Sequence, residues 1–200
     1  MQYLWLLCSY LIGSIPFGLL IARATCGIDP RKGGSGNVGA TNVARLCGFK
    51  WGVATLALDA AKGALSVAVM AYVLGEPPLL VGAAGLCAIL GHLHSVFLRF
   101  WGGKAVATTV GIFLTIAPLE LVISAVVCIL AIWISGFVSL GSLVLVVMLP
   151  VTLFFLGDTQ YVAPAIVIMC LVFFSHRANI KRLLKGEEKS WQKKKNEVPK

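Results

Sequence analysis

The chain has 200 residues, of which 58% are hydrophobic and only 12% are charged, and its mean hydropathy is +0.91. Soluble domains carry about 25% charged residues, so this composition excludes an ordinary soluble globular protein. The net charge of +9 does not point to nucleic acid, because the Lys and Arg residues flank apolar segments, where the positive-inside rule places them.

Several segments approach the roughly 20 apolar residues that a membrane-spanning helix needs. We predict an all-α, polytopic membrane protein forming one domain over residues 1–200, with about seven transmembrane helices. Met1 leads directly into the first apolar segment without a positive flank, so we expect that segment to be retained. The predicted spans are 3–22, 51–74, 79–100, 105–117, 120–135, 138–156 and 161–175, followed by a basic cytoplasmic tail at 176–200.

The count of seven depends on residues 105–135, which are too many for one span and few for two. Arg99 and Lys104 precede this stretch, and the Lys-rich tail follows the last two spans, so both flanks are expected inside. The stretch then crosses an even number of times, as a hairpin turning at residues 118–120. The N-terminus is expected outside and the C-terminus in the cytoplasm. The predicted outside loops contain no Lys or Arg and carry Glu76, Glu120 and Asp158.

Six cysteines are present, none of them in a C-x-x-C pair, and most lie within apolar segments. Cysteine in such a segment acts as a small hydrophobic residue. We therefore predict neither a disulfide nor a metal site, and we expect no cofactor. Cys26 and Cys47 are expected on the cytoplasmic side.

The first inside segment is rich in glycine and in hydrogen-bond donors. Gly34, Gly36 and Gly39 match G-x-G-x-x-G, but a membrane span precedes them rather than a strand, which argues against a dinucleotide fold. Glycines let backbone amides point at an anion, and Arg45 adds a guanidinium suited to phosphate. The alternative is a flexible loop. The candidate binding residues are Gly33, Gly34, Ser35, Gly36, Asn37, Thr41, Asn42 and Arg45.

Two further inside segments offer candidates. Lys104 opens a predicted helix after two glycines, where its charge opposes the helix dipole unless an anion is bound. The alternative is an ordinary positive-inside charge. Near the end of the third span, His92 and His94 are expected to make structural hydrogen bonds. Around residue 140, small residues with hydroxyls provide either ligands or close helix packing. The candidates here are Gly103, Lys104, Ser139 and Ser142.

The fourth inside segment follows the last span. His176 and Asn179 share one helical face at i,i+3, and we expect this face to contribute to the site. A second face carries Arg177, Lys181 and Lys185, which we expect to lie against lipid headgroups. The alternatives for Asp59 and Lys62 remain open: charged residues inside a membrane are costly and commonly functional, but this pair could equally brace the Gly-rich loop.

These motifs together resemble a known family. The segments GSGNVGATNVAR at 34–45, GH at 91–92 with GGKAVAT at 102–108, HRANIKRL at 176–183 and LDAAKG at 58–63 are similar to those of the bacterial acyl-phosphate:glycerol-3-phosphate acyltransferases. The resemblance extends from about residue 11 to residue 188. It implies a seven-helix fold in the bacterial inner membrane and the first committed acylation of phospholipid synthesis. It also implies acyl phosphate, rather than acyl-CoA, as the acyl donor.

The expected reaction joins acyl phosphate and glycerol 3-phosphate into 1-acyl-glycerol 3-phosphate, with release of phosphate, among membrane lipids on the cytoplasmic face. The alternative is a transporter or channel for a phosphate-bearing anion, which commonly shows inverted repeats and a midplane site. No repeat is visible here, and the motifs gather at one face. Oligomeric state and the proton acceptor remain open. The expected catalytic residues are Ser35, Lys104, His176 and Asn179.

Overall fold

A computed structural model describes residues 1–191 of the chain. The Lys-rich end of the predicted tail, including Lys193, Lys194 and Lys195, lies outside the described residues. Within residues 1–191 the secondary structure is helical throughout, with no strand. The α-helices are α1 (Gln2–Ser14), α2 (Phe17–Cys26), α3 (Ala40–Cys47), α4 (Phe49–Ala68), α5 (Pro78–Leu93), α6 (Val106–Ile116), α7 (Pro118–Ser135), α8 (Val138–Leu156), α9 (Val162–Ser175) and α10 (Arg177–Leu184).

Five helical segments in the described part of the chain are long and apolar enough to cross a membrane. Helices α9 and α10 form a sixth candidate if they count as one span, although the chain bends by 63° between them. Helix α6 is apolar but has only 11 residues. Large apolar side chains such as Trp133 and Phe155 are more than two-thirds exposed, as expected of residues that face lipid. The all-α membrane fold is confirmed, and the count of seven spans stays a prediction.

The first predicted span, 3–22, is broken rather than continuous. Helix α1 ends at Ser14, Ile15 is extended, and α2 begins after Pro16. Proline has no amide hydrogen and its ring clashes with the carbonyl group four residues earlier, so the helix stops before it. The break exposes the carbonyl of Ile15, which accepts a hydrogen bond from Lys62 Nζ at 2.9 Å.

The third predicted span, 79–100, is shorter as a helix than expected. Helix α5 ends at Leu93, and the chain continues through a short 3₁₀ turn at Val96–Leu98. The carbonyls of His92 and Leu93 are left without helical partners by this early end. They accept instead from the amides of Gly103 and Gly102, at 3.0 and 2.9 Å.

Glycines allow two pairs of helices to approach closely. On the contact between α1 and α5, a side chain at Gly13 would collide with the Ala88 carbonyl, and one at Gly91 would collide with the Tyr10 carbonyl. Between α4 and α6 the same holds for Gly63 against Thr108 and for Gly111 against Ala60. Such small-residue contacts are the usual basis of helix packing in membranes. The largest buried side chains are Phe113, Met70, Ile89, Ile112, Leu149, Leu153 and Ile168.

Two predictions need correction. The structure pairs Cys26 with Cys47 as a disulfide, with the Cα atoms 5.9 Å apart, so the prediction of no disulfide is wrong. The pairing was missed because α3 folds back beside α2, which brings together two helix ends that are 21 residues apart in sequence. Glu120 was assigned to an outside loop, but it lies in the first turn of α7 and is only 5% exposed.

Candidate active site

The Gly-rich loop, residues 29–39, joins α2 to α3 and is organised by one side chain. Asn42 is 2% exposed. Its Nδ2 donates to the carbonyls of Pro30, Gly33 and Asn37 at 2.9, 3.1 and 2.8 Å, while its Oδ1 accepts from the Ser35 amide at 2.8 Å. Asn42 was predicted to bind substrate, but these bonds occupy its amide group with the loop itself.

The glycines of this loop are required by its shape. Gly34 and Gly36 have φ angles of 61° and 73°, a region that side chains other than glycine rarely adopt. A Cβ at Gly34 would also lie 2.1 Å from Asn42 Oδ1. The amide of Gly36 donates to the Gly33 carbonyl at 2.9 Å, and the Ser35 amide is taken by Asn42. The amides left for an anion between residues 33 and 36 are therefore those of Gly33 and Gly34, fewer than the glycine pattern suggested.

The side chains of Ser35, Thr41 and Arg45 are exposed around this loop. Arg45 Nη1 lies 3.5 Å from Asn42 Oδ1, the same atom that accepts from the Ser35 amide. Asn42 thus holds the Arg45 guanidinium and the Ser35 backbone near one point. Asn37 contributes to the loop itself, because its Oδ1 accepts from the Gly39 amide at 2.8 Å.

A second glycine loop, residues 102–104, lies directly on the end of α5 and carries Lys104. A Cβ at Gly102 would stand 1.9 Å from the His92 carbonyl oxygen, and one at Gly103 would stand 2.2 Å from His92 Nε2. Only glycine fits at either position. Helix α6 begins two residues after Lys104, and the intervening Ala105 has a left-handed φ of 63°.

The Lys104 ammonium is half-buried and donates to Asn179 Oδ1. Burial lowers the pKa of Lys104 to about 8; the Glu188 carboxylate opposes this shift, and the charges of Arg182 and Arg45 add to it. Lys104 is therefore mostly protonated at pH 7 and stands among other cations. A bound anion would stabilise this charged ammonium, because burial has removed part of its hydration.

His176 lies at the junction of α9 and α10 and is 2% exposed. Its Nδ1 is 2.9 Å from the Val172 carbonyl oxygen, which can only accept, so Nδ1 carries the hydrogen and Nε2 has the free lone pair. Burial and the charge of Lys104 lower the pKa of His176 to about 4. The imidazole is therefore neutral at pH 7 and is a weak base.

The sequence reasoning missed Glu188, which bonds to three side chains on α8 and α10. Its Oε1 accepts from Asn179 Nδ2 at 2.5 Å and from Ser139 Oγ at 2.8 Å, and its Oε2 accepts from Arg182 Nε at 2.6 Å. Burial raises the pKa of Glu188, but the bonds from Asn179, Ser139 and Arg182 outweigh it, and the pKa is lowered overall. The signal available in the sequence was a carboxylate that follows a strongly basic helix.

The segment after α10 closes the site by touching the other loops. Lys189 Nζ donates to the Gly34 carbonyl at 3.0 Å, and the Trp191 amide donates to the Gly136 carbonyl at 3.1 Å. Together with the Lys104 to Asn179 bond, these contacts bring all four predicted inside segments to one end of the bundle. Ser142 does not join them, because its hydroxyl donates to the Val138 carbonyl of its own helix.

The intramembrane pair lies apart from this group and is fully enclosed. Asp59 and Lys62 are 2% and 3% exposed, with Lys62 Nζ 2.8 Å from Asp59 Oδ1. Thr108 Oγ1 and Asp59 Oδ1 stand 3.2 and 3.7 Å from Nδ1 of the buried His92. Within residues 1–191, no group of three or more His, Cys, Asp or Glu side chains is arranged to hold a metal ion.

The sequence and the fold both match known proteins. Residues 3–186 match the protein family described as glycerol-3-phosphate acyltransferase. The chain is 54% identical over 189 residues to a glycerol-3-phosphate acyltransferase of Lawsonia intracellularis, covering 94% of this chain and 95% of that protein.

Two solved structures are also similar, both of PlsY (YgiH), an integral membrane glycerol 3-phosphate acyltransferase. The glycerol 3-phosphate form has a TM-score of 0.91 at 37% identity and covers 96% of each chain. The lysophosphatidic acid form has a TM-score of 0.87 at 36% identity, covering 96% of this chain and 95% of that chain.

Proposed function

The chain belongs to the glycerol-3-phosphate acyltransferase family, and from that membership we propose the donor, the residue roles and the membrane placement that its site supports best. It is a membrane acyltransferase of phospholipid synthesis that acylates glycerol 3-phosphate. The proposed donor is acyl phosphate, and the proposed products are 1-acyl-glycerol 3-phosphate and phosphate. The observation that carries this assignment is the cluster of Lys104, Arg45 and Arg182 beside two glycine loops, which suits two phosphate-bearing substrates.

In the proposed reaction, a hydroxyl oxygen of glycerol 3-phosphate attacks the carbonyl carbon of acyl phosphate. The new ester bond forms as the bond from carbon to the phosphate oxygen breaks, and the departing phosphate takes the hydroxyl proton. Atoms and charges balance without a base from the protein. The neutral His176, with a pKa of about 4, is suited to accept a hydrogen bond rather than to hold a proton.

Each side chain has a role in this scheme. Lys104 and Arg45 hold the phosphates, since charge-assisted hydrogen bonds from Lys and Arg are the strong ones. Ser35 with the amides of Gly33 and Gly34 meets the developing oxyanion or a phosphate oxygen. His176 Nε2 and the Asn179 amide orient the acceptor. Positioning of this kind can supply about 7–11 kcal/mol of a barrier.

Other predicted site residues support the site without contacting the reactants. Asn42 shapes the Gly-rich loop, and Gly103 allows the second loop to lie on α5. Ser139 orients Glu188, which in turn fixes Asn179 and Arg182. This division follows from their hydrogen bonds within the protein.

The proposed placement in the membrane has seven spans: α1 with α2, then α4, α5, α6, α7, α8 and α9. The N-terminus lies outside and the site faces the cytoplasm of a bacterial inner membrane, where glycerol 3-phosphate is dissolved. The charge distribution of the loops supports this orientation. The acyl chain of the donor then lies in the bilayer while its phosphate reaches the cationic cluster.

The test uses purified protein in detergent with glycerol 3-phosphate and either acyl phosphate or acyl-CoA. We expect 1-acyl-glycerol 3-phosphate and an equal amount of phosphate with acyl phosphate, and no product with acyl-CoA. Product from acyl-CoA would overturn the donor assignment. Transport has no meaning in detergent, so product formation also argues against an anion transporter.

A further inference from the structure

The ring of His92 lies beneath the loop that carries Lys104. His92 is 7% exposed, and a Cβ placed on Gly103 would come within 2.2 Å of Nε2 and 3.1 Å of Cε1. The ring therefore occupies the space that a side chain at residue 103 would need. The backbone reinforces this contact, because the Gly103 amide donates to the His92 carbonyl at 3.0 Å.

The opposite edge of the ring is held by buried polar groups. Nδ1 lies 3.2 Å from Thr108 Oγ1 and 3.7 Å from Asp59 Oδ1. Asp59 is itself fixed by Lys62, whose ammonium also donates to the Ile15 carbonyl at the break between α1 and α2. The orientation of the ring is thus set by α4, α6 and the broken first span together.

The residues that contact the His92 ring lie on both sides of Lys104 in the sequence. Gly103 precedes Lys104, and Thr108 lies in the first turn of α6 after it. His92 therefore touches the chain on both sides of Lys104, at a point where Ala105 adopts a left-handed conformation. A buried ring with fixed neighbours on both sides restricts where the Lys104 backbone can lie.

We propose that His92 is a positioning residue for acyl transfer, which fixes the Lys104 backbone by packing against Gly103. Thr108 and the Asp59–Lys62 pair in turn fix the His92 ring. The proposal rests on the role assigned to Lys104 in the proposed function. It gives the intramembrane pair a role different from bracing the Gly-rich loop, because the pair supports the Lys104 loop through His92. A displacement of about 1 Å at a substrate-positioning group can lower a rate by about 100-fold.

The test is a double-mutant cycle on kcat/KM for glycerol 3-phosphate, comparing His92→Ala, Lys104→Ala and the double variant with the wild type. We expect His92→Ala to lower kcat/KM by about tenfold alone and by less than twofold in the Lys104→Ala background. The His94→Ala variant is the matched control, since His94 is an exposed neighbour outside this cluster, and we expect a change of less than twofold.

A purely structural role for His92 would lower kcat/KM by the same factor in both backgrounds, and that result would overturn the proposal. Wild-type kinetics for the His92→Ala variant would also overturn it. If His92→Ala does not fold, Thr108→Val removes the hydroxyl that holds the ring with little change of volume, and the same loss of effect in the Lys104→Ala background is expected. The assay uses whichever acyl donor supports wild-type turnover, so a wrong donor assignment would appear in the reference rate and leave the cycle readable.

Discussion

The two glycine loops of the site look alike in sequence and differ in construction. The Gly-rich loop, residues 29–39, is held by the side chain of Asn42, which extends from α3, and it has Gly34 and Gly36 at positive φ. The loop at residues 102–104 is held by its own backbone, which packs directly against the end of α5 and donates hydrogen bonds to it. In the first loop glycine allows positive φ angles, and in the second it allows the backbone to approach His92 closely.

This difference changes which groups each loop can offer to a substrate. Hydrogen bonds to Asn42 and Gly33 take up the amides of Ser35 and Gly36, so the first loop presents chiefly the Ser35 side chain and the amides of Gly33 and Gly34, with Arg45 of α3 beside it. The second loop presents a single cation, Lys104, connected to Asn179 and through it to Glu188. The cations next to the two loops therefore indicate an anion site more directly than the glycines do.

The largest expected effect comes from replacing a glycine by alanine in each of the two loops. Gly103→Ala places a Cβ against the His92 ring and must displace the loop, so we expect kcat/KM to fall by about 100-fold. Gly33→Ala meets only Leu46 side-chain atoms, the nearest at 3.4 Å, has an extended φ of −146° and keeps its amide. We expect a loss of no more than about threefold there. Equal losses in steady-state assays would show that the two loops are not built differently.

The next effect removes the cation at each loop. We expect Arg45→Ala and Lys104→Ala each to lower activity at least tenfold, chiefly through the KM of the phosphate-bearing substrates. A hydrogen bond to a charged group contributes about 1.5–3 kcal/mol, and tenfold corresponds to about 1.4 kcal/mol. Lys181→Ala, on the exposed face of α10, and Lys194→Ala, in the tail, are the controls and should change little. If Lys104→Ala resembled Lys194→Ala, the assignment of the site would be dropped.

A smaller effect is the dependence of kcat/KM on pH, which we expect to come from Lys104 in the second loop. Lys104 has its pKa lowered to about 8, so its charge is present below that pH and is lost above it. We expect kcat/KM, which reports the free enzyme, to fall about threefold between pH 7.5 and 8.5. In Lys104→Arg this alkaline decline should disappear, because Arg stays charged. An unchanged decline in Lys104→Arg would assign the titration to another group.

The last prediction concerns the orientation of the chain, and with it the side of the membrane that the site faces. After Cys170, the exposed native cysteine, is replaced by Ser, a cysteine at the exposed Thr159 should react with an impermeant thiol reagent on whole cells. A cysteine at Lys181 should react only after the cells are opened. The predicted outside position Glu120 is a poor probe because it is buried. Labelling of Lys181→Cys on intact cells would contradict the proposed orientation.

Much of this arrangement could be predicted from the sequence, because hydropathy and charge asymmetry report directly on burial in a membrane. The same signals predict the helical class and the four segments expected inside, and the glycine motifs in those segments draw attention to the cations Arg45 and Lys104. Contacts between distant segments could not be predicted in this way. The acceptors of Asn42, the role of Glu188 and the pairing of Cys26 with Cys47 all depend on how α3 and the segment after α10 fold back.

The central claim is that the protein positions its substrates while the leaving phosphate takes the proton. The most direct measurement is the turnover of His176→Ala with acyl phosphate and glycerol 3-phosphate, since His176 is the imidazole whose pKa the charge of Lys104 helps to lower. We expect a partial loss, because His176 orients the acceptor, with catalysis by the remaining groups still readily measured. A loss beyond about 10⁴-fold, the upper end for general acid–base catalysis, would contradict the claim and identify His176 as the base.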